Sequence, residues 1–331
     1  MIRRAVNPDT SDTRDSISFV SFANAVFKNP GALIGLAIMI SSETATLAGV
    51  EPFASWNTPI CWTGFIAFAD SIVYRIRRDS WIRTSPREFA WLCVASIPLW
   101  LVFEFFNRFI RNWYYIGLPE NLAVRYFGYA WSFATIWPAI FEGAELIAVW
   151  RGSREDDVRP VVGSFSRAGR FSRAEIVSIT TGGAMLAWPL VVHSQYLAAP
   201  VWLGFIFLLD PINDKLGAES LGRDLRNGRR DRLVNLSLSG VMCGILWEFW
   251  NYWARTKWHY TVPIMERAKI FEMPVPGYLG FPAFALECFT MYQFVRIFLA
   301  YAVDLRPRRR NVYARSPTVN PQAQLGRTIA L

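Results

Sequence analysis

Charge is scarce in this 331-residue chain, with only 18% of residues Asp, Glu, Lys or Arg, and those sit in a few polar stretches instead of spreading along helical faces. That segregation excludes an ordinary soluble surface. Histidine is scarcer still: His193 and His259 are the only two, no pair stands at the i, i+4 spacing of a ligand helix, and neither haem nor zinc is expected. The cysteines Cys61, Cys93, Cys243 and Cys288 all fall in apolar segments and form no CxxC pair. Buried free thiols are therefore expected, not a disulfide framework. There is no phosphate-binding glycine loop and no GxSxG elbow, so the common soluble nucleotide and hydrolase mechanisms have no support. No cofactor and no metal is expected. The opening stretch MIRRAVNPDTSDTRDS carries charge without an apolar core behind it, which does not read as a secretory signal and leaves the N-terminus on the cytoplasmic side.

What the chain does have is apolar and aromatic: 53% of residues are hydrophobic, and the 15 Trp and 25 Phe exceed what a soluble domain of this size needs, which points to a membrane. The net charge of +9 comes from basic residues that interrupt apolar runs at intervals, not from one basic domain. Membrane lipids, and not nucleic acid, are the expected partners. No residue pattern specifies an oligomeric state.

A helix needs about 20 largely apolar residues to cross a bilayer. Eight stretches qualify as candidates: 31–49, 60–77, 88–111, 128–150, 176–195, 199–214, 233–254 and 277–302. Pro98, Pro138, Pro189 and Pro282 fall inside them and predict kinks. Arginine accumulates in the segments around 75–87, 151–173, 215–232 and 306–315, whereas TLAGVEPFASWNTP and SQYLAAP carry no Lys or Arg, although Arg125, Arg267 and Lys269 lie on their side. The bias places both termini in the cytoplasm of a multi-pass cell-membrane protein.

Two segments recur. WTGFIAFAD, ending at Asp70, matches WLGFIFLLD, ending at Asp210; FEFFNRFIR, from Phe103, matches WEFWNYWAR, from Trp247. The expected fold is accordingly all-α: a polytopic helical bundle of about eight transmembrane helices in two tandem four-helix repeats. An even number of spans per copy makes the repeats parallel, related by an axis near the membrane normal. The expected organisation is a cytoplasmic tail over 1–30 with a short interfacial helix around 16–28, repeat one over 31–150, a polar linker over 151–174, repeat two over 175–303, and a basic, disordered tail over 304–331.

On the third helix of each copy, Glu104, Asn107 and Arg111, and likewise Glu248, Asn251 and Arg255, stand at i, i+3 and i+7 on one face. With an inward N-terminus, Glu104 lies about 24 Å along its helix, in the outer half of the bilayer. The fourth helix enters from the outer side and reaches Glu142 or Glu287 roughly 13 to 20 Å deeper. Four glutamates are thus expected near one level, and ionisable groups at that depth usually face a bundle interior or a wet cavity. Two readings of the Glu-Asn-Arg face stand side by side, a functional site and a structural clamp between helices. Glu145 has Thr290 near its place in the second copy and is expected at the cytoplasmic end of its helix. Asp70 and Asp210 end the second helices facing the arginine-rich loops, where ion pairs are expected; Asp210 and Asp214 also form a DxxxD spacing near Arg223 and Arg226, which allows a weaker Mg²⁺-diphosphate reading. Trp113, Trp258 and Tyr260 belong to dense aromatic clusters that suit either an interfacial belt or the wall of a pocket.

The order of an acidic residue, a Trp about ten positions later, a Gly, a Pro and an intramembrane Glu runs through Glu248, Trp258, Gly277, Pro282 and Glu287, and more loosely through Glu104, Trp113, Gly128, Pro138 and Glu142. It resembles the repeated unit of the heterodimeric-type, integral membrane lycopene cyclases over roughly 40 residues per copy. That family typically has a tighter proline-to-glutamate motif and fewer helices per unit. The resemblance implies a proton-donor role for Glu142 and Glu287. The leading expectation is acid–base chemistry on an isoprenoid or other lipid-like substrate, with Glu142 and Glu287 transferring protons, Glu104 and Glu248 as their partners, and Asn107, Asn251, Arg111, Arg255, Trp113, Trp258 and Tyr260 around the substrate. Proton-coupled transport and a structural or partner-binding role are the alternatives from other classes.

Overall fold

The computed structural model describes residues 19–153, 170–265 and 267–302; most of the expected linker and all of the basic tail from 304 onward lie outside the described residues. The architecture is helical. In chain order it runs α1 (Phe19–Phe27), α2 (Pro30–Leu47), α3 (Phe53–Arg77), α4 (Trp81–Thr84), α5 (Pro86–Ile110), β1 (Trp113–Ile116), α6 (Leu122–Ala134) and α7 (Ile136–Trp150). The remainder is α8 (Arg173–Val191), α9 (Ala198–Lys215), α10 (Leu221–Arg226), α11 (Asp231–Trp253), β2 (Lys257–Tyr260), the two-residue strands β3 (Lys269–Ile270) and β4 (Met273–Pro274), and α12 (Gly280–Ala302).

Among the described residues, six helical stretches are long and apolar enough to cross a membrane: α2, α5, Leu122–Trp150, α8, Gln195–Lys215 and α11. The chain therefore has the character of an integral membrane protein. The sequence stretch 60–77 falls within α3 and the stretch 277–302 covers α12, which begins three residues later at Gly280; these helices are 25 and 23 residues long but are not among those six. Both carry buried polar residues, among them Asn57 and Asp70 on α3 and Glu287, Gln293 and Arg296 on α12.

Local chemistry sets the helix ends. Asn29 caps α2, accepting from Gly31 N at 3.2 Å while its own amide donates to Ser71 O at 2.7 Å, and Pro30 follows where a missing N–H costs nothing. Ser172 and Glu175 form a reciprocal capping box at the start of α8. The stretch Leu122–Trp150 is interrupted at Thr135, three residues before Pro138, whose missing N–H leaves the carbonyl of residue 134 without its helical donor.

α2 lies on α3, and α8 on α9, through paired glycines. A Cβ on Gly35 would stand 2.6 Å from Gly64 O, and one on Gly182 would stand 2.7 Å from Gly204 O, so the helix axes approach as closely as backbones allow. Helix α7 is buried from Ile136 to Val149 and packs with α3 and α11, while α12 packs with α9 and α11. The outer faces of α2 and α8 stay apolar: Ile34 is 60% exposed and Val191 is 81% exposed, a surface suited to lipid. At one end of the bundle β1 and β2 pair antiparallel, Trp113 opposite Tyr260 and Tyr115 opposite Trp258. This end is called the ribbon end below.

Candidate functional site

The site grows from the last turns of α5 and α11, where each helix stops and the chain turns back as a strand. Arg111 ends α5 in the left-handed conformation, φ 50°, and Ala254 ends α11 in an extended one. Asn107 fastens the first turn-back: its amide donates to Trp113 O at 2.8 Å, and its carbonyl accepts from Asn112 N at 2.8 Å and Trp113 N at 3.2 Å. Asn251 does the same for the second, donating to Trp258 O and accepting from Trp258 N, both at 2.9 Å. Neither asparagine is hydrogen-bonded to the glutamate of its own helix. The expected Glu-Asn-Arg face is therefore divided among three tasks. The arginines point away from the glutamates: exposed Arg255 pairs with Glu51 at 2.5 Å, and exposed Arg111 offers its backbone carbonyl to the Thr261 hydroxyl.

The glutamates hold the aromatic side chains that the strands present. Glu104 Oε1 accepts from Trp100 Nε1 at 2.9 Å, Trp113 Nε1 at 3.2 Å and the Tyr115 hydroxyl at 2.5 Å. Glu248 Oε1 accepts from the Tyr260 hydroxyl at 2.8 Å, and that hydroxyl accepts from Trp258 Nε1 at 2.9 Å. Among the described residues no cation forms a salt bridge with either carboxylate. Burial pushes the hydroxyls of Tyr115 and Tyr260 well above the usual phenol range, and the adjoining carboxylates push the same way. Both phenols are thus neutral hydrogen-bond donors at any physiological pH.

The tryptophans and tyrosines of this set wall a cavity of about 480 Å³ at the ribbon end, with the two glutamates behind them and outside the lining. Its aromatic lining includes Trp62, Trp100, Trp113, Trp202, Trp247 and Trp258, with Tyr115 and Tyr260 on the ribbon side. The rings brace one another across the bundle: Trp62 meets Trp247 with centroids 5.9 Å apart, and Trp202 meets Phe103 at 5.0 Å. Polar lining is sparse and includes Asn112, Gln195, Arg125 and Lys257. Such a chamber suits an extended apolar ligand, with a few polar groups to orient it.

Glu142 and Glu287 do not line this cavity. Both are wholly buried, Glu142 on α7 and Glu287 on α12, where Glu287 Oε1 accepts from Phe205 N on α9 at 3.1 Å. Glu145 is paired with Arg77 at 2.8 Å. The aspartates at the other end of the bundle cap short helices. Asp70 accepts from Ile82 N at 2.9 Å in α4 and lies 3.6 Å from Arg83 Nε. Asp210 accepts from Ser220 Oγ, Leu221 N and Gly222 N at 2.9, 2.7 and 2.8 Å at the start of α10. Asp214 is taken by Arg223 and Arg226. Among the described residues no group of three or more His, Cys, Asp or Glu is placed to hold a metal ion. His259 lies on β2 and meets Glu272 at 2.7 Å.

Sequence reasoning passed over Trp62 and Trp202 as wall residues. The signal was present, because they head the matched segments WTGFIAFAD and WLGFIFLLD at equivalent places. Trp100 and Phe284 had no such signal. Comparison with protein-family models, with curated proteins and with solved structures returns no match.

Proposed function

We propose that this integral membrane protein binds an extended, apolar, isoprenoid-like molecule in the aromatic cavity and acts on it by proton transfer through Tyr115 and Tyr260, with Glu104 and Glu248 behind them. The observation that carries the reading is the doubled Glu–Tyr contact at the cavity wall, an ionisable group held one hydroxyl away from a largely aromatic chamber. Indole and phenol faces around the chamber suit a ligand that gains positive charge when a double bond is protonated. None of the four glutamates lines the chamber, and the reading moves the proton-transfer role from Glu142 and Glu287 to the pair on α5 and α11, whose hydrogen-bonded partners Tyr115 and Tyr260 do line it.

The proposal includes a build from two tandem parallel copies with both termini cytoplasmic. Support comes from the matched segments, from the order α2-α3-α4-α5-β1 recurring as α8-α9-α10-α11-β2, and from equivalent caps at Asp70 and Asp210. Antiparallel pairing of β1 with β2 is what a two-fold axis perpendicular to both strands would produce. The test uses the full chain in lipid nanodiscs. A long polyene should quench the tryptophan fluorescence saturably, and Trp202→Ala should weaken that binding at least 10-fold. The lipid profile of a strain lacking the protein should change and should be restored by the wild type but not by a Glu104→Gln/Glu248→Gln double variant. Non-saturable quenching together with an unchanged lipid profile would sink the reading.

A further inference from the structure

The two carboxylates are not equivalent, and the difference begins in the sequence. One turn before Glu104 stands Trp100; one turn before Glu248 stands Gly244. Trp100 donates to its glutamate, whereas the space beside Gly244 is filled by Phe281, whose Cδ2 lies 2.3 Å from where a Cβ would stand. The second difference is one residue of chain. Trp113 follows Glu104 by nine positions and Trp258 follows Glu248 by ten. The indole of Trp113 therefore reaches the carboxylate at 3.2 Å, while that of Trp258 stops at the Tyr260 hydroxyl, 2.9 Å away. Glu104 collects three donors on one oxygen. Glu248 is wholly buried and takes one, and its Oε2 has no hydrogen-bond partner among the described residues.

We infer that the two sites have divided the work: Glu248 exchanges a proton with the cavity through Tyr260, and Glu104 keeps a fixed negative charge that holds Trp100, Trp113 and Tyr115 in the wall. Three convergent donors suit a permanent anion, because an ionised carboxylate is acceptor-only. A single donor, on a carboxyl wholly buried where Glu104 is only half-buried, leaves Glu248 the one suited to carry a proton. In the transfer, the Glu248 O–H bond breaks as its proton moves to Tyr260 Oη, and the tyrosine's own hydroxyl proton passes to the ligand. The phenol is neutral before and after, and the negative charge ends on Glu248. The hydroxyl rotates freely enough to accept from one side and donate to the other.

The assignment rests on the reading of the cavity as the working site, so its test reads the carboxyls themselves. Infrared difference spectra of the full chain in nanodiscs at neutral pH compare the wild type with Glu248→Gln and with Glu104→Gln. The expected result is a protonated-carboxyl C=O band lost in Glu248→Gln and kept in Glu104→Gln, which instead loses an ionised-carboxylate band. A protonated band lost in Glu104→Gln, or in neither variant, overturns the division. Where Glu248→Gln does not fold, Tyr260→Phe serves: it should shift the protonated band, and Tyr115→Phe should shift only the ionised one, the reverse pattern being fatal. Bands as expected without polyene binding would refute the cavity reading and leave the assignment of the two carboxyls standing. Polyene binding with the bands reversed would refute the assignment alone.

Discussion

Replacing Asn251 with alanine removes the two hydrogen bonds that fix Trp258 to the end of α11 and leaves a backbone N–H and C=O to find new partners. Each bond is worth about 0.5–1.5 kcal/mol net, so loss of the two should cost about 1–3 kcal/mol. Asn107→Ala removes three bonds and should lose slightly more, about 1.5–4.5 kcal/mol. Because β1 and β2 pair with each other, both losses fall on one ribbon. The double variant should therefore cost less than the sum, by about 0.5–3 kcal/mol. Chemical unfolding in detergent, followed by tryptophan emission, reads all three directly. The reasoning fails if Asn251→Ala unfolds within about 0.5 kcal/mol of the wild type, a surface-like effect, while polyene binding is abolished. That outcome would make the asparagine a ligand contact and not a tether.

Three further expectations concern other parts of the molecule. Gly182→Ala puts a Cβ 2.4 Å from Leu208 N and should destabilise by about 1–3 kcal/mol in thermal unfolding, whereas Gly183→Ala, with nothing within 4 Å, should be neutral; equal effects would refute the close helix crossing. Arg77→Gln removes the cation 2.8 Å from buried Glu145 and should cost about 3–5 kcal/mol, with an added Glu145→Gln recovering much of it; no recovery would mean the pair is not the cause. In alkaline titration Tyr115 and Tyr260 should stay un-ionised through the usual phenol range, and Tyr278, pushed up by burial to about 12, should ionise late. Since the fold holds these protons more tightly than the unfolded chain does, their share of stability is full below about pH 10 and is lost as the pH rises beyond it. Tyrosinate absorbance rising fully by pH 10.5 in folded protein would contradict this.

Much of the scaffold was legible because apolar length is a one-dimensional property. The stretches around α2, α5, α8, α9 and α11 are recognisable from hydropathy alone. Helices α3 and α12 are harder, since buried polar side chains dilute the apolar signal that marks a span facing lipid. The turn-back strands were invisible to the same reasoning. The run from Trp113 to Ile116 reads as aromatic belt until a partner some 145 residues away supplies the ladder, and no local pattern names that partner. Helical spacing also misleads at a helix end. Glu104, Asn107 and Arg111 share a face only while the helix lasts, and it ends at Ile110, so the arginine's φ of 50° turns it out of the set. The i, i+3 part of the pattern, by contrast, keeps its meaning, because Asn107 is still close enough to the end to catch the returning strand.

The deeper reason that the scaffold is more legible than the chemistry lies in what likeness between two segments can say. Matched residues such as Glu104 and Glu248 mark where a side chain is wanted, and the structure puts both behind tyrosines of the same chamber wall. What each carboxyl does there is set by its donors, and donors are supplied by unmatched positions: Trp100 against Gly244, and a turn that is one residue longer before Trp258. Reading for similarity weights the shared residues and discards the rest. Beside a chamber with so few polar groups, a single indole N–H gained or lost at 2.9 Å is a large fraction of all the hydrogen bonding such a carboxyl receives. The positions at which the two segments disagree are therefore where the hydrogen bonding of the two carboxyls is made to differ.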